Sequence, residues 1–176
     1  MPFNLLKKYP ELLEIGHLME PDRNRLLKWV FERDIENNQN FRFKGKVIRP
    51  IKGEEPAMQL LFRHLTTEEM EEENENGKLF KRRIFEIHRS QRLHWVKYHI
   101  DENLKKNIEI FSTEERINGK KKYRTYIYDL TQKYVIVLEP QRSGMDYYLL
   151  SAYYLNRCYG VKKMKKKVMN KLDELL

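Results

Sequence analysis

The chain has 176 residues, 40% hydrophobic, 12% aromatic and 35% charged, which is enough apolar material for one domain with a real core and too much for a disordered chain. No stretch nears the ~20 apolar residues of a membrane-spanning helix, and MPFNLLKKYPELL lacks an apolar signal region, so the expectation is a cytoplasmic protein with no membrane partner. The single cysteine, Cys158, excludes an internal disulfide and a Cys-based zinc cluster, and 35 Lys plus Arg against 26 Asp plus Glu gives +9, the footprint of a phosphate-rich partner.

In chain order, Leu5 to Ile15 and Pro21 to Asn37 read as helices, the second with Leu26, Leu27, Val30, Phe31 and Ile35 at spacings of three and four. Phe41 to Pro50 alternates around Lys44-Gly45 as a short hairpin, and Met58 to Leu65 reads as a further helical turn or two. Thr66 with Glu69 matches a capping box and opens the acidic run Glu68 to Glu75, read as a solvated helix and loop ending at Asn76-Gly77. Leu79 to Ile87 then looks like a strand. Ser90 to Leu104 looks like one helix with Leu93, Val96, Ile100 and Leu104 on its buried stripe. Ile108 to Phe111, Tyr123 to Tyr128, Tyr134 to Glu139 and Asp146 to Leu155 read as strands, the last central because it is apolar or aromatic on both alternations. A basic helix, Val161 to Leu175, ends the chain. Helices followed by an antiparallel meander make an α+β arrangement, with residues 1–78 a helical cap bearing a short hairpin and 79–176 the α+β part of one compact unit.

Three of the five histidines lie in His88 to Ile100, with two arginines, a lysine and a tryptophan. At about 100° per residue Arg92, Trp95 and His99 share one stripe, while His94, Lys97, Tyr98 and Asp101 share another, so a polar stripe is free to face a cleft. His88 and His99 stand roughly 16 Å apart along a helix, and no His-x-x-x-His pair occurs, so zinc is set aside and no cofactor is expected. A histidine both takes and gives a proton near neutrality, which RNA transesterification requires, whereas His17 and His64 sit in ordinary segments and read as structural. On the second strand of the meander Arg124, Tyr126 and Tyr128 share a face, where the guanidinium suits a pentacoordinate phosphorane; the alternative is an exposed face with cross-strand pairing. Tyr147, Leu149, Ser151 and Tyr153 point one way on the last strand, where Ser151 either binds a substrate or is a structural hydroxyl. Lys162, Lys163 and Lys166 on the final helix contact phosphates or form a solvated face.

The run Arg-Leu-His-Trp-Val-Lys (Arg92 to Lys97), the strands Arg-Thr-Tyr-Ile-Tyr (Arg124 to Tyr128) and Tyr-Val-Ile-Val-Leu-Glu (Tyr134 to Glu139), and Tyr-Tyr-Leu-Leu-Ser-Ala-Tyr-Tyr (Tyr147 to Tyr154) before a lysine-rich tail resemble, over residues 79–170, phage-encoded nucleases of the barnase, EndoU, colicin and RelE-like superfamily. The resemblance implies a four-stranded antiparallel sheet with helices on one side and a concave face that cleaves RNA without metal, leaving a cyclic phosphate. Members of that superfamily place their catalytic residues differently, so the roles expected here follow from the residues' own chemistry: acid/base work by His94 or His99, phosphate and transition-state contacts by Arg92 and Arg124, substrate orientation by Tyr126, Ser151 and Tyr153, and nucleic-acid contacts by Lys97 and the tail lysines. The expected partner is tRNA or another structured RNA, with a protein antidote or a phage or host protein as a second partner if the chain is a toxin. A catalytically silent nucleic-acid-binding module and a protein-interaction module are the alternatives.

Overall fold

The computed structural model describes residues 3–53, 55–141 and 143–176. The expected first helix is overturned: one turn of 3-10 helix, Phe3–Leu6, is followed by irregular chain. Pro10 falls inside the expected helix, has no N–H to give, and disfavours helical geometry at Tyr9. The segment instead runs along the core, burying Leu13 and Ile15 and tying Leu13 N–H to the Gln91 carbonyl at 3.0 Å. Helix α1, Glu20–Phe31, starts with Pro21 in its first turn, where a missing N–H costs nothing and Glu20 and Asp22 complement the helix dipole. It buries Leu26, Leu27, Val30 and Phe31 and passes into a π-helical turn, Glu32–Glu36.

The hairpin is present as β1, Arg42–Phe43, and β2, Lys46–Pro50, with Lys44 and Gly45 both at positive φ in the turn. Helix α2, Ala57–Thr66, follows. The Thr66 hydroxyl bonds back to the Phe62 carbonyl at 2.9 Å instead of capping a new helix. The acidic run is accordingly a strand: β3, Thr67–Glu73, pairs antiparallel with β4, Leu79–Phe85, in a ribbon separate from the main sheet. Glu69 meets Lys81 across it at 2.8 Å, so the basic partner strand offsets the repulsion that a lone acidic strand would suffer.

The long helix expected from Ser90 divides. Helix α3, Ile87–Ser90, is capped by the Glu86 carboxylate, and α4 spans Trp95–Asp101. Between them Arg92, Leu93, Trp95 and Val96 make N–H bonds to the carbonyl three residues back. That tighter winding rotates the following residues relative to a uniform helix, burying His94, Trp95 and His99 and leaving Leu104 85% exposed.

Strands β5, Ile108–Ile117, β6, Lys120–Asp129, β7, Tyr134–Pro140, and β8, Asp146–Tyr154, form the expected meander. The expected four-stranded antiparallel sheet is nevertheless corrected: the sheet has six strands in the order β1-β2-β8-β7-β6-β5, because β2 pairs parallel with β8 from Val47 opposite Asp146 to Pro50 opposite Leu149. The apolar character of β8 on both alternations follows from cover on its two faces, by the helix-side core on one and by the C-terminal helix on the other. One face packs on Leu13, Ile15 and the helices α1, α2 and α4 through Ile127, Ile136, Leu138, Tyr147 and Leu149. The other face, expected to be open, is partly covered by α5, Cys158–Met169, whose Met164 packs on Phe111, Tyr126, Val135 and Leu155. Among the described residues no helix is long and apolar enough to cross a membrane.

Candidate functional site

Strand β8 contains an irregularity that decides where its side chains go. Val137 opposes Ser151 while Leu138 opposes Leu149, so Leu150 is an extra residue, and the alternation reverses there. Tyr147 and Leu149 therefore join the helix-side core, whereas Tyr153 packs against the opposite face; the shared orientation expected for these residues is corrected. Strand β2 stops at Pro50, leaving the β8 edge from Leu150 onward to α2, α3 and the base of the ribbon.

Arg89 fills this edge. Its Nη1 donates to the carbonyls of His64 at 2.7 Å and Thr67 at 2.8 Å and lies 3.5 Å from Ser151 Oγ, with the guanidinium 5.8 Å from the centre of the Tyr153 ring. Arg83 reaches the same place, donating to Thr67 Oγ1 at 2.8 Å and to its carbonyl at 3.0 Å. Among the described residues neither guanidinium has a carboxylate within ion-pair distance, and Arg89 Nε is buried without a partner. Burial, and for Arg83 the neighbouring Arg89 charge, lowers both guanidinium pKa values, although each remains protonated. His64 lies beside them: burial and then the Arg83 charge push its imidazole below the ordinary value, against an opposing pull from the Leu150 carbonyl.

Tyr153 joins this edge to the face beneath α5, and the two together are termed the trough. Burial raises the Tyr153 phenol, Arg89 counters that from one side, and Glu115 adds to it from the other. Glu115 Oε1 accepts from the Tyr126 hydroxyl at 2.5 Å, from Thr113 Oγ1 at 3.1 Å and from the Lys167 ammonium of α5, which also donates to Tyr126 at 2.9 Å. Burial alone would raise the Glu115 carboxyl, but the Lys167 and Tyr126 bonds outweigh it and hold the group below its usual value. Burial followed by the hydrogen bond to Glu115 drives the Tyr126 phenol far up. Arg124, on the same face, is paired with Glu139 of β7, which also meets Lys122 at 3.4 Å.

Of the residues expected from sequence, the structure thus brings Arg124, Tyr126, Ser151 and Tyr153 onto one face and its adjoining edge, with Lys163 beside them on α5. Arg92, His94 and His99 are elsewhere. Arg92 is buried against the rings of Tyr154 and Trp95 and donates to the His88 carbonyl at 2.8 Å. His94 Nε2 meets the Glu11 carbonyl at 3.0 Å, Nδ1 is buried without a partner among the described residues, and burial pushes the ring pKa down to about 4. His99 is fully enclosed between the Trp95 carbonyl at 2.8 Å and Asp129 at 2.9 Å. Asp129 also accepts from the Tyr9 hydroxyl at 2.7 Å and from the N–H groups of Thr131 and Gln132. Burial would raise its carboxyl, but His99, Gln132 and Tyr9 together hold it down to about 2. This knot joins the N-terminal segment, α4 and the end of β6. Lys97 is paired with Asp101, and Lys162 and Lys166 stand exposed on α5.

Sequence reading passed over His64, Arg83, Arg89, Glu115 and Lys167 as site residues. Only Glu115 had a usable signal, lying on the Phe111–Thr113 alternation of a strand whose end was placed too early. The comparisons of this chain with protein-family models, with curated proteins and with solved structures find no match.

Proposed function

We propose that the trough binds an RNA phosphodiester and cleaves it without a metal ion, by attack of the ribose 2′-hydroxyl, making the protein an endoribonuclease. The observation that carries this reading is Arg89, a largely buried cation held by carbonyls and, among the described residues, without a carboxylate in ion-pair contact, so that Glu86 and Glu68 offset its charge only from a distance. Burying a charge without a contacting counter-ion is costly, so such a group favours an anion beside it, and a guanidinium binds phosphate in a forked geometry that suits it. His64, held neutral at neutral pH, takes the 2′-hydroxyl proton. Arg89 and Arg83 stabilise the charge gathering on the phosphorane, Ser151 orients a non-bridging oxygen, and Tyr153, kept protonated by burial, hydrogen-bonds the leaving 5′-oxygen as it takes up a proton from water. The products are a 2′,3′-cyclic phosphate and a free 5′-hydroxyl. Arg124 plays a lesser part because Glu139 already neutralises it. The resemblance of the motif order to phage-associated nucleases agrees with this reading, and an effector of that type would have RNA as partner and a protein antidote as its regulator.

The burial of His94 and His99 favours a second reading, a silent RNA-binding module using the same trough. Incubation of the protein with structured RNA in excess EDTA, with end analysis of the fragments, separates the two. Cyclic phosphate ends that disappear in His64→Gln support the nuclease; salt-sensitive binding with intact RNA supports the module.

A further inference from the structure

Beneath α5 lies a cavity of about 380 Å³, within the range of small-molecule sites, with Val137 and Leu155 lining it from the sheet side and Met164 from α5. Two features of it are unexplained by packing. Glu115 Oε1 carries all three of that carboxylate's donors, Thr113, Tyr126 and Lys167, so the group is fixed in orientation while Oε2 has no partner among the described residues. At the mouth Tyr159, in the first turn of α5, is 75% exposed, an aromatic ring with no packing role of its own.

We propose that this cavity is a nucleobase subsite, in which Glu115 Oε2 accepts a hydrogen bond from an exocyclic amino group and Tyr159 stacks on the ring. The proposal rests on the RNA reading above and adds to it the substrate preference: adenine, guanine or cytosine over uracil, which has no exocyclic amino group to donate. A carboxylate held ionised by Lys167 and Tyr126 is a weak proton acceptor and a strong hydrogen-bond acceptor, which assigns Glu115 to recognition and leaves proton transfer to His64. The apolar lining excludes water from the base, Tyr159 offers a π-face, and Lys163 at the rim takes the adjoining phosphate. Tyr153 borders both the cavity and the Arg89 edge, so a base seated under α5 places the next phosphate at Arg89.

The test uses the full chain and 2′-O-methyl tetranucleotides, which cannot be cleaved, with one position varied among the four bases and an abasic residue, read by fluorescence anisotropy. The expected result is about tenfold tighter binding of oligonucleotides with an amino-bearing base than of the uracil or abasic ones. Tyr159→Ala, an exposed substitution that leaves the core alone, should weaken the base-containing ligands about tenfold and the abasic one hardly at all. Glu115→Gln should reduce the amino-base preference to less than threefold. Equal binding of all five ligands, or no binding, overturns the subsite. Cleavage of ordinary RNA is measured in parallel, so loss of base preference with cleavage intact refutes the subsite alone, whereas absence of cleavage with base preference intact refutes the nuclease alone.

Discussion

Acid should destabilise this protein in a defined window, with His94 the larger and His64 the smaller contributor. His94 is 5% exposed and its pKa is pushed from 6.5 to about 4 by burial, so the folded chain holds the ring neutral where the unfolded chain protonates it. Stability from this group is complete above pH 6.5 and is lost as pH falls toward 4. A shift of this size corresponds in full to about 3 kcal/mol, of which about 2 kcal/mol is gone at pH 5. For a chain of this length that is a Tm lower by roughly 4–8 °C. Asp129, depressed to about 2, loses its contribution only below its ordinary value of 3.8, so the two windows do not overlap. The perturbation is His94→Gln, which removes the titration and keeps a donor for the Glu11 carbonyl. Between pH 7 and pH 5, urea unfolding should show a loss in the wild type about 2 kcal/mol larger than in the variant, whose remaining loss comes from His64. Equal losses in the two proteins would refute the assignment of this acid sensitivity to His94.

Asp129→Asn should be the most damaging single substitution outside the apolar core, because an amide cannot accept from His99, Tyr9 and two backbone N–H groups at once. A cost of about 3 kcal/mol, or roughly 6–12 °C in Tm, is expected by thermal unfolding at pH 7, and a fall under about 2 °C would contradict the knot. Replacing Lys162, Lys163 and Lys166 together with alanine should weaken RNA binding and reduce the slope of log affinity against log salt by about 2, read by anisotropy across a salt series. Ser151→Ala should leave Tm within about 2 °C and lower cleavage about tenfold, since among the described residues its hydroxyl meets only Arg89, at 3.5 Å.

Much of the architecture is legible in local patterns. Helix α1 shows in the Leu26, Leu27, Val30 and Phe31 spacing, the hairpin in Lys44-Gly45, and the four meander strands in their β-branched and aromatic runs. The features that place the site are of a different kind. That β2 would pair with β8, a hundred residues away, is a tertiary preference with no local signature, and the expected four-stranded sheet missed it for that reason. The extra residue at Leu150 reverses a strand's alternation without any glycine or proline to announce it, and tightening around Arg92 and Leu93 turns His94 and His99 from a supposed cleft into the core. Arg124, Tyr126, Ser151 and Tyr153 were reachable because they lie on strands of regular period or beside the irregularity. Arg89 and His64 were not, because they reach the trough from the ends of short helices on the far side of the β8 edge.

The most direct test of the trough as a phosphodiester-cleaving site is the first-order rate of RNA cleavage in excess EDTA at pH 7 for the wild type, Arg89→Ala and His94→Gln, with Tm measured for each. The trough predicts fragments with cyclic phosphate ends, a loss of 10²-fold or more in Arg89→Ala, and a rate within about threefold of wild type in His94→Gln. An Arg89→Ala protein that stays folded and cleaves at the wild-type rate, or activity abolished by His94→Gln with Tm unchanged, would contradict it.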